Sequence, residues 1–392
     1  MSNILFVIPS LSSAGGAEKL IDSLSRILGS DHKIYQASFD SFNTKRYFEN
    51  EVQFYPLGSL IRIPLPLRWI TYFIRAYRLT QLKQKLDIDI SISVLWSADI
   101  INVLSLSKDK KISLAVINIL NNPTNRLMVT LRVIVGMIYR SFDRILAISN
   151  PLLEELYGLY HIKKEKSGVF RNFVSLPKPA PVWGDDKVHR FVFCGRLVYE
   201  KNVDGLLALW ADFSSRHPNC QLVIIGDGPL SAELHALALR LGLSIGFDCG
   251  DNVVSVLFLG SCLNPENYMN GARAFMLTSR DEGVPTVLLL AFALHLPVLV
   301  SDCHSGGVRD LLGLPDTPVS AAGIVVSSGM LLPIPESSVP ESIAEWSKAL
   351  DVMEHDSEQH ARWIRGSEDL AETFSVEAAE RFWKSEMEHI LN

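Results

Sequence analysis

Five short segments of this chain place glycines, cations or a carboxylate directly after an apolar run. The first is Ser10-Leu11-Ser12-Ser13-Ala14-Gly15-Gly16-Ala17-Glu18, behind the run from Ile4 to Ile8. Paired glycines that open a helix let backbone N–H groups close on an anion, with the helix dipole behind them. The spacing is neither GxGxxG nor a Walker loop, and a plain strand–helix turn would look the same. The second, Gly195-Arg196-Leu197-Val198-Tyr199-Glu200-Lys201-Asn202, is bracketed by Arg196 and Lys201. A guanidinium fork and an ammonium point charge suit a diphosphate, although a solvated surface turn also fits. Gly226-Asp227-Gly228-Pro229 and Gly260-Ser261-Cys262 end two further apolar runs as turns. The fifth runs Thr278-Ser279-Arg280-Asp281-Glu282-Gly283-Val284-Pro285-Thr286 and leads into an apolar helix. Pro285 suits a helix start, and free N–H groups at 283–286 would face an anion. Glu282 aims a carboxylate at the same place, or simply favours the helix N-terminus. Cys303-His304-Ser305-Gly306-Gly307 repeats the glycine turn before another helix.

Loops of this kind need strands to hold them. Short apolar runs alternate with longer helical patterns along the whole chain, which predicts an α/β protein with parallel sheets. Strands are expected at Ile4–Ile8, Lys33–Ala37, Ile88–Val94, Ser113–Ile117 and Arg144–Ile148, then at Arg190–Cys194, Gln221–Ile225, Val256–Leu259, Ala274–Leu277 and Pro297–Val300. Gly15 to Leu28 reads as a helix, and Val376 to Leu391 as a capped amphipathic helix. Pro177-Lys178-Pro179-Ala180-Pro181 followed by Gly184-Asp185-Asp186 has the composition of a linker. The expected organisation is an N-terminal Rossmann-like domain over residues 1–175, with 376–392 packing back on it, and a C-terminal one over 186–375. The two would face a central cleft, and their ligands would bind outside the carboxyl ends of the strands.

Taken in order, these segments resemble the retaining glycosyltransferases of the GT-B fold, family GT4 (the bacterial group 1, polysaccharide type), over nearly the whole chain. The early glycine loop with its Glu looks like Gly15-Gly16-Ala17-Glu18. The GRL-x₃-K phosphate loop looks like Gly195-Arg196-Leu197 with Lys201. The Gly-Asp-Gly-Pro turn, the Phe-x-Gly strand end at Phe258–Gly260, and the Ser-x-x-Glu-Gly-x-Pro block at Ser279, Glu282, Gly283 and Pro285 follow in sequence, and then come Pro297, Val298 and Asp302. The resemblance implies a nucleotide-diphosphate sugar, a UDP-sugar, held mainly by the second domain, with no other cofactor and no metal. Arg196, Lys201 and Glu282 would be catalytic: the two cations would neutralise the departing diphosphate, and Glu282 would hold sugar hydroxyls. Gly15, Gly16, Gly195, Gly226, Asp227, Gly228, Gly260, Ser261, Cys262, Gly283, Val284, Pro285, Thr286 and position 290 would line the donor, and Asn118, Asn121, Asn122 and Ser149 the acceptor side. The implied reaction is transfer of a hexosyl or N-acetylhexosaminyl group, with retention, to a lipid-linked or polysaccharide acceptor during synthesis of O-antigen, capsule or lipopolysaccharide.

Two departures stand out. The family's second Glu, eight residues after the first, is Leu290 here, which cannot accept a hydrogen bond from ribose. Where relatives often carry His or charged residues near 118–120, this chain has Ile119 and Leu120. They motivate a second reading, a catalytically weak or inactive glycosyltransferase-like binding protein. A third, a sugar-nucleotide epimerase on the same fold, is disfavoured by the Arg196–Lys201–Glu282 set.

Composition sharpens the partners. With 392 residues and 48% hydrophobic residues the chain can build two cores, and its net charge of −6 argues against a general nucleic-acid binder. That total conceals a split. Residues 1–175 hold 22 Lys+Arg against 14 Asp+Glu, whereas 176–392 hold 15 against 29. Within the basic half, Arg68, Arg75, Arg78, Lys83 and Lys85 share one arc of a helical pattern, and Trp69, Phe73 and Tyr77 share another. This reads as an interfacial helix on an anionic leaflet, or as a surface helix with an aromatic core face and a solvated basic face. The expected location is the cytoplasm, peripheral on the inner face of the membrane. Five cysteines without a CxxC pair or a His at zinc spacing read as reduced thiols. Asp87-Ile88-Asp89 has a metal-binding DxD spacing, but it opens a strand.

Overall fold

A computed structural model describes the chain except for residues 13–15, 41–51, 59–69, 117–131, 176–178, 181, 184–186, 251–253, 304, 315–322, 337 and 392. It forms two compact units, Met1–Asn172 with Val376–Asn392, and Phe173–Ser375.

In unit 1, strands β1 (Asn3–Ile8), β2 (Lys33–Ser38), β3 (Gln53–Pro56), β4 (Ile90–Val94), β5 (Lys110–Ala115), β6 (Arg144–Ala147) and β7 (Ser167–Val169) form one sheet in the order β3-β2-β1-β4-β5-β6-β7. Every pairing is parallel. Helices α1 (Gly16–Leu28), α2 (Ile70–Lys85), α3 (Trp96–Leu104), α4 (Arg132–Arg140) and α5 (Asn150–Tyr160) connect them. A parallel sheet covered by helices is apolar on both faces, which is why its central strands read as unbroken apolar runs. The ends differ from the sequence expectation. β4 starts at Ile90 rather than Ile88, and β5 spans Lys110–Ala115 rather than Ser113–Ile117, because the polar pair Lys110-Lys111 conceals its start. The edge strands β3 and β7 are too short and too polar to show an apolar run.

The helix Val376–Leu391 belongs to this unit. Trp383 is fully buried, its ring 5.4 Å from Phe170, and Arg144 forks onto Glu386 at 2.8 and 2.7 Å. Asp89 accepts a hydrogen bond from the Asn3 backbone N–H at 2.8 Å, so the second Asp of the DxD spacing pins the start of β1.

Helix α2 corrects the reading of an aromatic core face and a solvated basic face. Lys83 is buried, and its ammonium donates to Ser91, Asn102, Ser105 and Asp109. Arg78 donates to the carbonyls of Leu57 and Gly58, and the Arg75 guanidinium lies 4.6 Å over the Phe39 ring. Of the basic arc only Lys85 is exposed; Arg68 lies outside the described residues, as does Trp69. The aromatic side faces solvent instead, with Phe73 56% and Tyr77 66% exposed. A helical period shows which residues share a face, but not which face the sheet covers.

Unit 2 contains β8 (His189–Cys194), β9 (Cys220–Ile225), β10 (Ile245–Gly246), β11 (Val256–Gly260), β12 (Ala274–Leu277), β13 (Val298–Ser301), β14 (Ile324–Val326) and β15 (Gly329–Leu332), in the order β10-β11-β9-β8-β12-β13-β15-β14. Only β14 against β15 is antiparallel. Helices α6 (Val203–Arg216), α7 (Ser231–Arg240), α8 (Pro265–Met269), α9 (Thr286–Ala293), α10 (Gly307–Leu311), α11 (Pro340–His355) and α12 (Ser357–Thr373) flank it. Trp210, Trp346 and Trp363 anchor one core layer, and Phe275, Leu288 and Phe292 the other. The order reverses between β8 and β12, so their carboxyl ends diverge at a switch point, where such sheets open a crevice.

Candidate active site

The loops after β11, β9, β8, β12 and β13 emerge side by side from one edge of the second sheet. Backbone contacts lock them together. Gly226 N–H donates to the Gly260 carbonyl at 2.8 Å, and Gly195 N–H to the Ile225 carbonyl at 2.9 Å. A Cβ on Gly226, whose φ is +140°, would lie 1.9 Å from the Gly195 carbonyl oxygen, so only glycine lets these two turns touch. Likewise a Cβ on Gly307 would lie 1.2 Å from the Gly283 carbonyl oxygen, where the turn after β13 presses on the turn after β12. Leu197 N–H reaches the Asp227 carbonyl at 2.9 Å, and the buried Leu197 side chain anchors the loop between its two cations.

The charged groups sit at the switch point. Lys201, at the end of the β8 loop, donates to Glu282 Oε1 from the β12 loop. Ser279 Oγ donates to the same oxygen at 2.8 Å. Glu282 is buried and Lys201 retains 19% side-chain exposure, so the pair borders solvent at its ammonium end. Glu282 therefore does more than favour the helix start. Arg196 is exposed, with no side-chain partner among the described residues. The arrangement presents a cation paired with a carboxylate, and an exposed guanidinium on the same loop, among glycine turns. This can receive a diphosphate and a polyol.

The roles of three sets of positioning residues escaped the sequence reading. Asn202 adopts the left-handed conformation at φ 53°, and its amide donates to the carbonyls of Thr278 and Pro335, each at 3.0 Å. Arg280 lies 4.3 Å over the Tyr199 ring, donates to the Tyr199 carbonyl at 2.7 Å, and pairs with Asp204 at 3.0 Å. Asp302, after β13, and Arg309 on α10 form a bidentate pair. Asn202 and Arg280 each fasten one loop to another, a relation that local spacing does not reveal. Burial pushes the neighbouring Cys303 thiol up to about 12, so it is a neutral packing group.

The remaining expected positions divide. Gly228, Ser261, Cys262, Val284 and Thr286 lie on the same loops, with Ser261 exposed and Gly228 half-buried. Pro285 caps helix α9 and has no N–H, so the anion-facing donors expected at 283–286 are reduced to Gly283, Val284 and Thr286. Leu290 packs partly buried against the apolar core layer. In unit 1, Gly16 opens α1 and is exposed, while Ser149 is buried and caps α5 by accepting from Leu152 N–H at 3.4 Å. Gly15, Asn118, Asn121 and Asn122 lie outside the described residues, as do Ile119, Leu120 and His304.

Two parallel-dominated, doubly wound units with glycine-floored loops at their strand ends define the GT-B class. Residues 182–327 match the family model described as Glycosyl transferases group 1. The chain is 24% identical over 397 aligned residues to an uncharacterized glycosyltransferase of Haemophilus influenzae, covering 98% of this chain and 99% of that one. It is 26% identical over 321 residues to a Campylobacter jejuni enzyme described as GalNAc-alpha-(1->4)-GalNAc-alpha-(1->3)-diNAcBac-PP-undecaprenol alpha-1,4-N-acetyl-D-galactosaminyltransferase, covering 80% and 82%. Among solved structures it resembles Anabaena HepE in complex with UDP and glucose, with a TM-score of 0.74 at 16% identity over 99% of this chain and 100% of that one. The fold is that of the GT-B class, and residues 182–327 resemble the group 1 glycosyl transferases.

Proposed function

We propose that this protein transfers a hexosyl or N-acetylhexosaminyl group from a UDP-sugar to a lipid-linked or polysaccharide acceptor, with retention, in cell-surface polysaccharide synthesis. The observation that carries this reading is the Lys201–Glu282 pair at the switch point of unit 2, with the exposed Arg196 on the same loop as Lys201. A UDP complex of a protein with this fold, and a relative named for a diphosphate-linked undecaprenol acceptor, support the choice of donor and acceptor.

In this reading the diphosphate lies over Gly195, Gly226 and Gly283; the Gly195 and Gly226 N–H groups are spent on the Ile225 and Gly260 carbonyls, so backbone donation falls to Gly283, Val284 and Thr286. Negative charge grows on the diphosphate as the glycosidic bond breaks. Arg196 and Lys201 stabilise that charge, an effect of roughly 3–4 kcal/mol for each well-placed donor. Glu282, relieved of Lys201 by the phosphate, turns to the hydroxyls of the sugar. Asp227, Gly228, Gly260, Ser261 and Cys262 contact the base, and Thr286 and Val284 complete the phosphate rim. Gly15 and Gly16 serve the donor, and Ser149 joins Asn118, Asn121 and Asn122 in taking the acceptor. The proposed reaction needs no bound metal.

Unit 1 would work against an anionic membrane. Phe73 and Tyr77 on α2, and Val133, Ile134 and Met137 on α4 beside exposed Arg140, offer apolar side chains for insertion. No helix among the described residues is long and apolar enough to cross a membrane. The alternative of a weakly active binding protein rests on Leu290, whose apolar contact occupies the place of a ribose acceptor.

A donor screen scored by nucleotide diphosphate release tests the proposal. Release from one UDP-sugar above that from GDP- and dTDP-sugars is expected. Tight UDP binding without release from any donor would favour the binding-protein reading.

A further inference from the structure

At the edge of the second sheet opposite the Lys201–Glu282 pair, three residues distant in sequence meet. His189 opens β8, Cys220 opens β9, and Glu354 lies in the last turn of α11. His189 Nδ1 is 2.5 Å from Glu354 Oε1, and one ligand atom from each of the three residues, the Cys220 sulfur included, lies within 4.8 Å of the others. Cys220 is 4% exposed and the Glu354 side chain 10%. Glu354 Oε2 is buried with no hydrogen-bond partner; Arg273 Nε stands 3.9 Å away but donates to the Met353 carbonyl. The half-exposed His189 borders a cavity of about 470 Å³ that Arg273, His295 and His360 also line.

We infer that His189, Cys220 and Glu354 form a zinc site. An imidazole nitrogen, a thiolate sulfur and a carboxylate oxygen are the ligand set of a borderline-soft divalent ion. Three protein ligands leave the fourth tetrahedral position to a water reached through the cavity. The buried Glu354 oxygen, which faces Arg273 but has no hydrogen bond, then gains a coordinating ion or a hydrogen bond from that water. Coordination displaces the Cys220 proton to solvent, so the bound Zn²⁺ is balanced by one thiolate and one carboxylate. Without the ion, burial beside Glu354 pushes the thiol up to about 12 and holds it neutral. The second cluster on α11, His217 with Asp351 and His355, does not qualify in the same way. There Arg216 already forks onto both Asp351 oxygens at 2.8 and 3.0 Å. The zinc site is separate from the donor loops and would staple the start of two strands to the end of α11.

Titration of the chelator-treated full chain with Co²⁺ tests this. One equivalent should produce a thiolate-to-cobalt charge-transfer band and tetrahedral visible bands, both displaced by Zn²⁺. Zn²⁺ should also raise the unfolding temperature. Cys220→Ser should abolish the charge-transfer band. His189→Gln, at a half-exposed position that folding tolerates, should weaken binding by about tenfold or more. His217→Gln should leave both unchanged. Absence of binding at micromolar metal, or spectra and affinity unchanged in both Cys220→Ser and His189→Gln, would overturn the inference, as would loss of binding in His217→Gln alone.

Discussion

At the scale of single residues, the site separates groups that act from groups that hold. Arg196 is exposed and has no side-chain partner among the described residues, so Arg196→Ala should leave the unfolding temperature unchanged while lowering kcat by about 10²–10³. Lys201→Ala should lower kcat similarly but also reduce stability, because it strands the buried Glu282 carboxylate without its cation. Thermal melts beside steady-state kinetics distinguish the two variants, and unaltered turnover in both would remove the diphosphate assignment. Leu290 poses the opposite question. If ribose lies against α9, Leu290→Glu should tighten UDP binding about tenfold, consistent with one gained hydrogen bond. Calorimetry with UDP would show it, and an unchanged affinity would mean that ribose is read elsewhere.

At the scale of elements, buried polar groups decide how the first sheet is covered. Asp99 on α3 is fully buried and accepts from Ser93 Oγ at 2.6 Å, and burial raises its carboxyl to about 7. Its sign is that of a group favouring the protonated form in the folded state. The unfolded carboxyl ionises near its ordinary 3.8 while the folded one stays neutral. The contribution is therefore complete below that value and is lost as pH rises towards 7. Asp99→Asn keeps the shape and removes the titration, so its stability should fall less between pH 4 and 7 than that of the wild type in urea melts. Parallel slopes for the two proteins would contradict this. Lys83 belongs to the adjoining network with Asp109, and it shows why α2 could not be oriented from periodicity. The arc that looked solvated carries a lysine whose ammonium is satisfied internally.

At the scale of the whole molecule, the charge split survives the assignment of the C-terminal helix to unit 1. That unit holds 24 Lys+Arg against 18 Asp+Glu, and unit 2 holds 13 against 25. The positive balance suits a unit that works on anionic lipid and diphosphate-linked acceptors. Unit 2 must hold an anionic donor against its own negative balance, which falls to Arg196, Lys201 and backbone N–H groups. Because Arg75, Arg78 and Lys83 are engaged internally, membrane contact would rest on apolar side chains as much as on charge. The double variant Phe73→Ala, Tyr77→Ala should therefore lose flotation on anionic liposomes while retaining soluble donor turnover. Flotation equal to wild type would remove α2 from the contact.

The sequence by itself determined the α/β class, the central strands and the order of the loops, because buried parallel strands must be apolar and loops at their ends must turn on glycine. It also singled out Arg196, Lys201 and Glu282, whose types carry their chemistry wherever they are placed. It did not show the edge strands β3 and β7, which bury too little to leave an apolar run, nor the inward turn of Lys83. Only the tertiary structure decided that Lys201 meets Glu282 across the switch point, that Asn202 and Arg280 bind one loop to the next, and that His189, Cys220 and Glu354 converge. Those relations join residues far apart in the chain, and local spacing carries no information about which distant strands the sheet makes neighbours.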